Sequence, residues 1–434
     1  MAAETDTIFA LSSGTLPAGI AVIRLSGPKA FEAAELLAGQ IFSGAKASLR
    51  TLRRSDGSVL DKGLVLGFRA PKSFTGEDCV EFHLHGSKAV VSAVFNELAT
   101  LTSLRLAEAG EFSRRAFDNG KIDLVEVEGL ADLIAAETEM QRRLAVEHSF
   151  GGQSALYMAW AERLTRARAL IEAELDFSDE EDVPGSVSDR VWMDVGAVYA
   201  ELLQHIQGAQ GGEIIRDGFK VVISGPPNAG KSSLLNALAK RDVAIVTELA
   251  GTTRDVIHVD LDLDGYLVRF FDTAGIRESD DLVEQEGIRR AKRAAFEADL
   301  VLLLEEIDSD PKYTPEQPQG TMLFIGTKLD RHTVSNRYDV CLSIKTGEGL
   351  DALRTAILKQ VTSTWSGSLV PNRARQLQYL KEASNFVAEA LDGGQLDLRA
   401  ESLRIAATSL GRITGRVDVE QLLDIIFSQF CIGK

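Results

Sequence analysis

The chain has 434 residues, 45% of them apolar, and its 64 acidic against 47 basic side chains give a formal net charge of −17. That length allows roughly three domains with ample cores. The acidic balance excludes a protein whose main work is coating nucleic acid, while leaving room for a local basic patch. Three widely spaced cysteines, Cys79, Cys341 and Cys431, form no CxxC pair. Neither a disulfide framework nor a structural zinc site is therefore expected, and a cytoplasmic setting is. The acidic N-terminus, Met1-Ala2-Ala3-Glu4-Thr5-Asp6, lacks a signal-peptide charge pattern. The longest apolar run, near Leu300 to Leu304, is far too short to span a bilayer, so no membrane partner is expected.

Residues 1–121 mix short alternating strands with short helices and read as an α+β module. Its clearest strands are Ile20-Ala21-Val22-Ile23-Arg24-Leu25 and Val80-Glu81-Phe82-His83-Leu84-His85. In the second, Val80, Phe82 and Leu84 share one face, leaving Glu81, His83 and His85 on the other. Over 122–213 the pattern turns helical: Leu124, Val127, Leu130, Ala131, Leu133 and Ile134 repeat with a helical period, as do Leu164, Ala167, Leu170 and Ile171. An acidic loop, Ser178 to Gly185, breaks two of these helices, and Gly208, Gly211 and Gly212 mark the exit into the next domain.

That domain, 214–368, carries the chemistry. Gly225-Pro226-Pro227-Asn228-Ala229-Gly230-Lys231-Ser232-Ser233 follows the apolar run Val221-Val222-Ile223 and opens a helical pattern at Leu234, Leu235, Ala237 and Leu238. This is the context of a phosphate-binding loop. Its glycines let consecutive N–H groups turn inward around phosphate oxygens, Lys231 reaches the β/γ-phosphates, and Ser232 offers a hydroxyl to Mg²⁺. Gly251-Thr252-Thr253-Arg254-Asp255, preceded by Thr247, Glu248, Leu249 and Ala250, lies where a first switch loop belongs, and Thr253 there can close on Mg²⁺. Phe270-Phe271-Asp272-Thr273-Ala274-Gly275 reads as a strand end followed by DxxG, with Asp272 on Mg²⁺ and the Gly275 N–H on the γ-phosphate. Leu323-Phe324-Ile325-Gly326 reads as a buried strand ending in Thr327-Lys328-Leu329-Asp330. The Asp330 carboxylate can accept the N1 and N2 protons of guanine, which adenine does not supply. Ser343-Ile344-Lys345 stands where a base-contacting loop is expected. Each motif alone is an ordinary turn, but five in order within one domain length select a guanine-nucleotide hydrolase.

After a linker from Trp365 to Pro371 the chain is helical again over 369–434, through Leu377, Leu380, Ala383, Phe386, Val387 and Ala390, then Leu403, Ala406, Ala407 and Leu410. Both flanks of the GTPase segment are helical and neither is large enough alone. The expected architecture is therefore multidomain α+β and α/β: an N-terminal α+β module, a discontinuous all-α helical domain, and an inserted P-loop GTPase domain with a mostly parallel sheet.

The GPPNAGKSS, GTTRD and DTAGIRE run, the N-terminal FTGED and FHLHGS stretches, the segment Arg114 to Leu124, and the ending Cys431-Ile432-Gly433-Lys434 together resemble the tRNA modification GTPase MnmE (TrmE) family over essentially the whole chain. The resemblance implies a homodimer formed through a 1–121 module that binds 5-formyl- or 5,10-methylene-tetrahydrofolate. It implies a flavoprotein partner, MnmG (GidA), in a heterotetramer or larger complex, and action at C5 of the wobble uridine of certain tRNAs. The matching folate positions are Arg24, Glu81, Lys121 and Lys434; a carboxylate suits the pterin N–H donors, and cations suit the glutamate tail.

Ile276 occupies the place after DxxG where many GTPases keep a water-orienting glutamine, and isoleucine cannot polarise water. The resemblance assigns that work to Glu284, which read alone is a solvated helix carboxylate. No arginine finger is evident. The resemblance replaces it with K⁺ held by Asn228 together with Thr247, Leu249 and Thr252, mainly through the last three residues' carbonyls, in a face-to-face pairing of two GTPase domains. Cys431 reads as a packed small hydrophobe or a thiolate, and His83 with His85 lacks the further ligands of a metal site. Two positions depart from the family: Thr327 stands for asparagine and Ile344 for alanine. A competing reading is a regulatory switch of the ribosome-assembly type, which shares GTTRD, DTAG and the missing glutamine but carries a basic RNA-binding appendage or tandem GTPase domains. A third is a folate-binding scaffold whose GTPase domain only sets dimer geometry.

Overall fold

The computed structural model describes residues 6–41, 44, 46–176, 188–241, 243–245, 258–272, 298–308, 320–363, 369–417, 423, 426–427 and 433. They fall into two compact units, Met1–Ala131 with Gly411–Lys434, and Asp132–Leu410.

The first unit is built on a six-stranded sheet of β1 (Thr7–Leu11), β2 (Ala18–Ser26), β3 (Ser48–Arg53), β4 (Val59–Phe68), β5 (Cys79–Gly86) and β6 (Leu104–Leu106), in the order β3-β4-β5-β2-β1-β6. Only the β1–β6 pair is parallel. The period-two pattern holds: Val80, Phe82 and Leu84 of β5 are buried with Ala21, Ile23 and Leu25 of β2, and α1 (Ala30–Ala38) and α2 (Lys88–Ala99) cover that face. Ser87 caps α2 by accepting the Val90 N–H at 3.1 Å. Arg24, Glu81 and His83 are left on the other face. The chain then forms α3 (Glu111–Asp118) and enters α4 (Leu124–Ala135). The C-terminal residues return to this unit, where Phe427 packs with Phe117, Leu124 and Val127.

The second unit joins helices to a seven-stranded sheet. Its helices α5 (Glu139–Ser149), α6 (Gly152–Asp176), α7 (Ser188–Gln207) and α8 (Ala209–Asp217) lead into β7 (Phe219–Ser224) and α9 (Lys231–Arg241). Then come β8 (Val243–Ile245), β9 (His258–Leu263), β10 (Tyr266–Asp272), β11 (Leu300–Glu306), β12 (Thr321–Thr327), β13 (Val340–Cys341), α10 (Leu350–Ser363), α11 (Ala374–Leu391) and α12 (Leu396–Thr414). The strand order is β13-β12-β11-β7-β10-β9-β8, and the five strands from β13 to β10 run parallel. Covered on both faces, β11 reads as an unbroken apolar run, Leu300 to Leu304. Leu234, Leu235 and Leu238 of α9 and Leu350, Leu353, Ile357 and Val361 of α10 complete the core beneath the sheet.

Two expectations differ from the structure. Gly211 and Gly212 do not form an exit loop but lie inside α8, which continues to Asp217. A Cβ on Gly212 would stand 2.5 Å from the Pro371 carbonyl oxygen, so glycine serves close packing against the returning chain. The strand through Leu323 is only partly buried, and Phe324 is 42% exposed, because β13 pairs with it only at Ile325 and Gly326. The acidic loop at 178–185 lies outside the described residues.

Within the helices, Tyr157, His205, Gln153 and Trp160 form a buried cluster. The His205 Nε2 is 3.0 Å from the Tyr157 hydroxyl, which accepts from Gln153 Nε2 at 2.7 Å, and His148 Nε2 lies 3.1 Å from the Val370 carbonyl oxygen. Burial first, and the neighbouring His148 second, push His205 down from 6.5 to about 4. The unfolded chain takes up a proton near pH 6.5 that the folded bundle refuses until about pH 4. Stability is therefore present above that window and lost as pH falls through it, by on the order of 3 kcal/mol. Acid unfolding followed by circular dichroism should show this loss, and His205→Gln, which keeps a partner for Tyr157, should flatten the slope between those values.

Candidate functional site

The parallel strands bring their C-terminal ends to one edge, and the predicted nucleotide motifs among the described residues sit there. At the end of β7, Gly225 adopts φ +143°, and a Cβ on it would stand 2.2 Å from the Leu304 carbonyl oxygen of β11. Only glycine lets the loop leave the sheet so close to its neighbour. Asn228 is left-handed at φ 68° and exposed, Ala229 is buried with its N–H on the Pro226 carbonyl at 3.3 Å, and Gly230 is left-handed at φ 97°. Lys231 opens α9 and its Nζ donates to the carbonyls of Gly225 and Pro226 at 2.8 and 3.0 Å. The ammonium thus crosses the mouth of its own loop, where phosphate oxygens can replace those carbonyls. Ser232 and Ser233 follow in the first turn, at the positive end of the helix.

Asp272 ends β10 and pairs in register with Ile223 of β7, one strand from the phosphate loop. Thr247, Glu248, Leu249, Ala250, Gly251, Thr252, Thr253, Thr273, Ala274, Gly275 and Glu284 lie outside the described residues.

On the base side, the Thr327 hydroxyl donates to the Glu305 carbonyl at 3.1 Å, tying the end of β12 to β11. The Leu329 N–H reaches the Leu342 carbonyl at 3.1 Å, which joins the TKLD turn to the segment entering Ser343-Ile344-Lys345. Ser343 Oγ donates to Asp330 Oδ1 at 2.7 Å. That bond, foremost, holds the Asp330 carboxyl below its ordinary range and keeps it an acceptor. The Ile344 Cδ1 stands 3.1 Å from where a Cβ on Gly230 would lie. The predicted phosphate loop and the Ser343-Ile344-Lys345 loop therefore approach each other through Ile344.

In the first unit, β2 and β5 place Arg24 opposite Glu81. Arg24 Nε donates to Glu81 Oε1 at 2.9 Å, and His83 Nε2 is 3.2 Å from Glu81 Oε2. The guanidinium carbon lies 5.3 Å from the ring centre of Phe74 and 5.6 Å from that of Phe112. Lys121 Nζ donates to the Pro71 carbonyl at 3.0 Å, and Asn119 Nδ2 to the Thr75 carbonyl at 2.8 Å. Gly76 is left-handed, and a Cβ there would lie 3.0 Å from Asn119 Cβ and 3.1 Å from Lys121 Cγ. The loop holding FTGED and the segment holding Asn119 and Lys121 therefore lock together, bringing Arg24 and Lys121 to one loop. Lys434 and Cys431 lie outside the described residues, but the Gly433 carbonyl accepts from Ser12 Oγ at 2.8 Å at the end of β1.

Phe74, Glu77 and Arg115 were not singled out from the sequence. Glu77 Oε2 accepts from Ser26 Oγ at 2.7 Å and from Arg115 Nη1 at 3.1 Å, pinning the loop from below. The signal was the FTGED stretch itself, which periodicity cannot read because its residues pair across long range. His85 Nδ1 lies 2.8 Å from Asp61 Oδ1, and among the described residues no group of three or more His, Cys, Asp or Glu is placed to hold an ion.

The family model described as the MnmE helical domain matches residues 124–431, and that of the GTP-binding protein TrmE N-terminus matches residues 7–121. The tRNA modification GTPase MnmE of Sinorhizobium medicae is 58% identical over 438 residues, covering 99% of both chains. Those of Agrobacterium fabrum, over 439 residues and 99% of both chains, and Rhizobium etli, over 440 residues and 100% of both, are also 58% identical. With two family models and full-length relatives in agreement, the chain belongs to the tRNA modification GTPase MnmE family.

Proposed function

We propose that this chain is a K⁺-stimulated GTP hydrolase that takes part, with the flavoprotein MnmG, in C5 aminomethyl or carboxymethylaminomethyl modification of the wobble uridine of certain tRNAs. The one-carbon unit comes from 5-formyl- or 5,10-methylene-tetrahydrofolate. The observation that carries the reading is the contact of the phosphate loop with the base loop, with Asp330 oriented by Ser343 at 2.7 Å. An anionic Asp330 takes both guanine N–H donors, and adenine would leave it facing an acceptor.

In this reading the N–H groups of Asn228 to Ser233 surround the phosphates, and Lys231 exchanges its two loop carbonyls for β/γ oxygens. Ser232 on α9 and Asp272 on β10, with Thr253, would supply oxygen donors of the kind Mg²⁺ takes. Bound there, Mg²⁺ neutralises charge on the phosphates. Asn228, which is exposed, would hold K⁺ together with Thr247, Leu249 and Thr252. Bound there, K⁺ supplies the charge an arginine finger would bring. Glu284 holds and orients the attacking water, which Ile276 cannot do. The backbone N–H groups of Thr273, Ala274 and Gly275 follow the γ-phosphate. Glu248, Leu249, Ala250, Gly251 and Thr252 complete the switch over the nucleotide, and Thr327, Lys328, Ile344 and Lys345 border the base.

The donor set of the first unit suits a folate. Glu81 is a half-buried carboxylate for pterin N–H groups, and Arg24 and Lys121, with Lys434, are cations for the glutamate tail. The same reading divides the chain into a folate-binding and dimerising module at 1–121, helical segments at 122–213 and 369–434, and a GTPase domain at 214–368. The homodimer brings two GTPase domains face to face, so hydrolysis depends on dimerisation. A cytoplasmic setting follows from a tRNA substrate, and no described helix is long and apolar enough to cross a membrane.

Mass spectrometry of tRNA nucleosides from cells lacking the gene tests the function. Wild-type chain should restore 5-aminomethyl-type uridines, while Glu284→Ala should bind GTP, lose hydrolysis by about a hundredfold or more, and fail to restore them. Restoration by Glu284→Ala would favour a scaffold role. Glu81→Gln should weaken tetrahydrofolate binding roughly tenfold or more, by loss of a charged acceptor, with GTP affinity unchanged; equal folate affinity would contradict the assignment.

A further inference from the structure

We propose that Glu306 is a positioning residue for the guanine nucleotide: it fixes the Lys328 side chain across the base loop, and His332 braces it. The inference rests on the turn Thr327-Lys328-Leu329-Asp330 being, with Ser343-Ile344-Lys345, part of the guanine site proposed above. Lys328 is left-handed at φ 60°, a conformation that a residue with a β-carbon keeps only when its surroundings impose it. Those surroundings come from strand register. Glu306, the last residue of β11, pairs with Thr327, the last of β12, so its carboxylate stands beside the residue that follows.

The Lys328 Nζ is 2.5 Å from Glu306 Oε2. The other oxygen, Oε1, is 3.4 Å from His332 Nε2, and His332 Nδ1 is 3.4 Å from Asp308 Oδ2. The His332 N–H returns to the Leu329 carbonyl at 3.3 Å, so the brace belongs to the same turn as Asp330. An ordinary surface ion pair contributes little, because it must order two flexible side chains. Here one end sits on a strand terminus and the other on a turn fixed by Asp330–Ser343, so the ordering is already in place before nucleotide arrives. A lysine stem pinned at its ammonium presents an ordered apolar edge beside Asp330, against which a purine can lie flat. Glu306 acts through Lys328 and does not itself touch the base.

The test uses the full chain with Glu306→Ala and the isosteric Glu306→Gln. Both should weaken GDP binding and raise the KM for GTP about three- to tenfold, the effect of ordering one side chain, with kcat within about twofold of wild type. A merely structural role would lower thermal stability and kcat without that split. An unchanged KM and GDP affinity, or a lost kcat with KM intact, would overturn the proposal. Glu306→Gln carries the test if the alanine variant does not fold. Asp330→Asn, assayed alongside, should shift preference from guanine to xanthine nucleotides. If it keeps its guanine preference, the base-loop reading falls and the proposal with it; if it shifts while the Glu306 variants are silent, only the proposal falls.

Discussion

Much of this architecture depends on where β7 lies in its sheet. It runs parallel between β10 and β11, so all three strands deliver their C-terminal ends to one edge. A parallel sheet covered on both faces leaves that edge as the place where loops can gather without exposing core. The tightest point is Gly225, where the backbone passes so close to the Leu304 carbonyl that a side chain is excluded. From there the loop opens its amides toward the helix N-terminus, and the register of β10 and β12 decides what stands beside it.

The N-terminal unit solves a different problem with long-range pairs. Its candidate ligand-binding side chains face away from the core, so apolar packing alone cannot fix them. The Ser26–Thr75 bond and the Glu77–Arg115 pair anchor the loop, and Asn119 and Lys121 close over Gly76. Arg115 is mostly buried and also meets Asp6 and Glu111. Two of the short stretches by which the sequence resembles its family in this region, FTGED and Arg114 to Leu124, are thus two halves of one interlock.

Much of the fold was legible because its signals are periodic or local. Val80, Phe82 and Leu84 alternate, the α11 positions from Leu380 to Ala390 repeat with a helical period, and the phosphate loop announces itself between a strand and a helix. What was not legible depends on contacts distant in sequence. Gly211 and Gly212 look like loop residues until Pro371 is packed against their helix. Phe324 looks buried until the neighbouring strand proves only two residues long. Ile344 looks like a bulky substitution until Gly230 is found beneath it. The partners of Glu77 and Glu306 are set by tertiary pairing and strand register, which no local pattern encodes.

The claim on which the rest turns is that this sheet edge reads guanine. Competition binding of GDP, IDP and ADP to the full chain measures it most directly. GDP should bind tightest, IDP, which lacks the exocyclic amine, roughly tenfold or more weaker through one unmade bond to Asp330, and ADP should not compete. ADP binding as tightly as GDP would contradict the account.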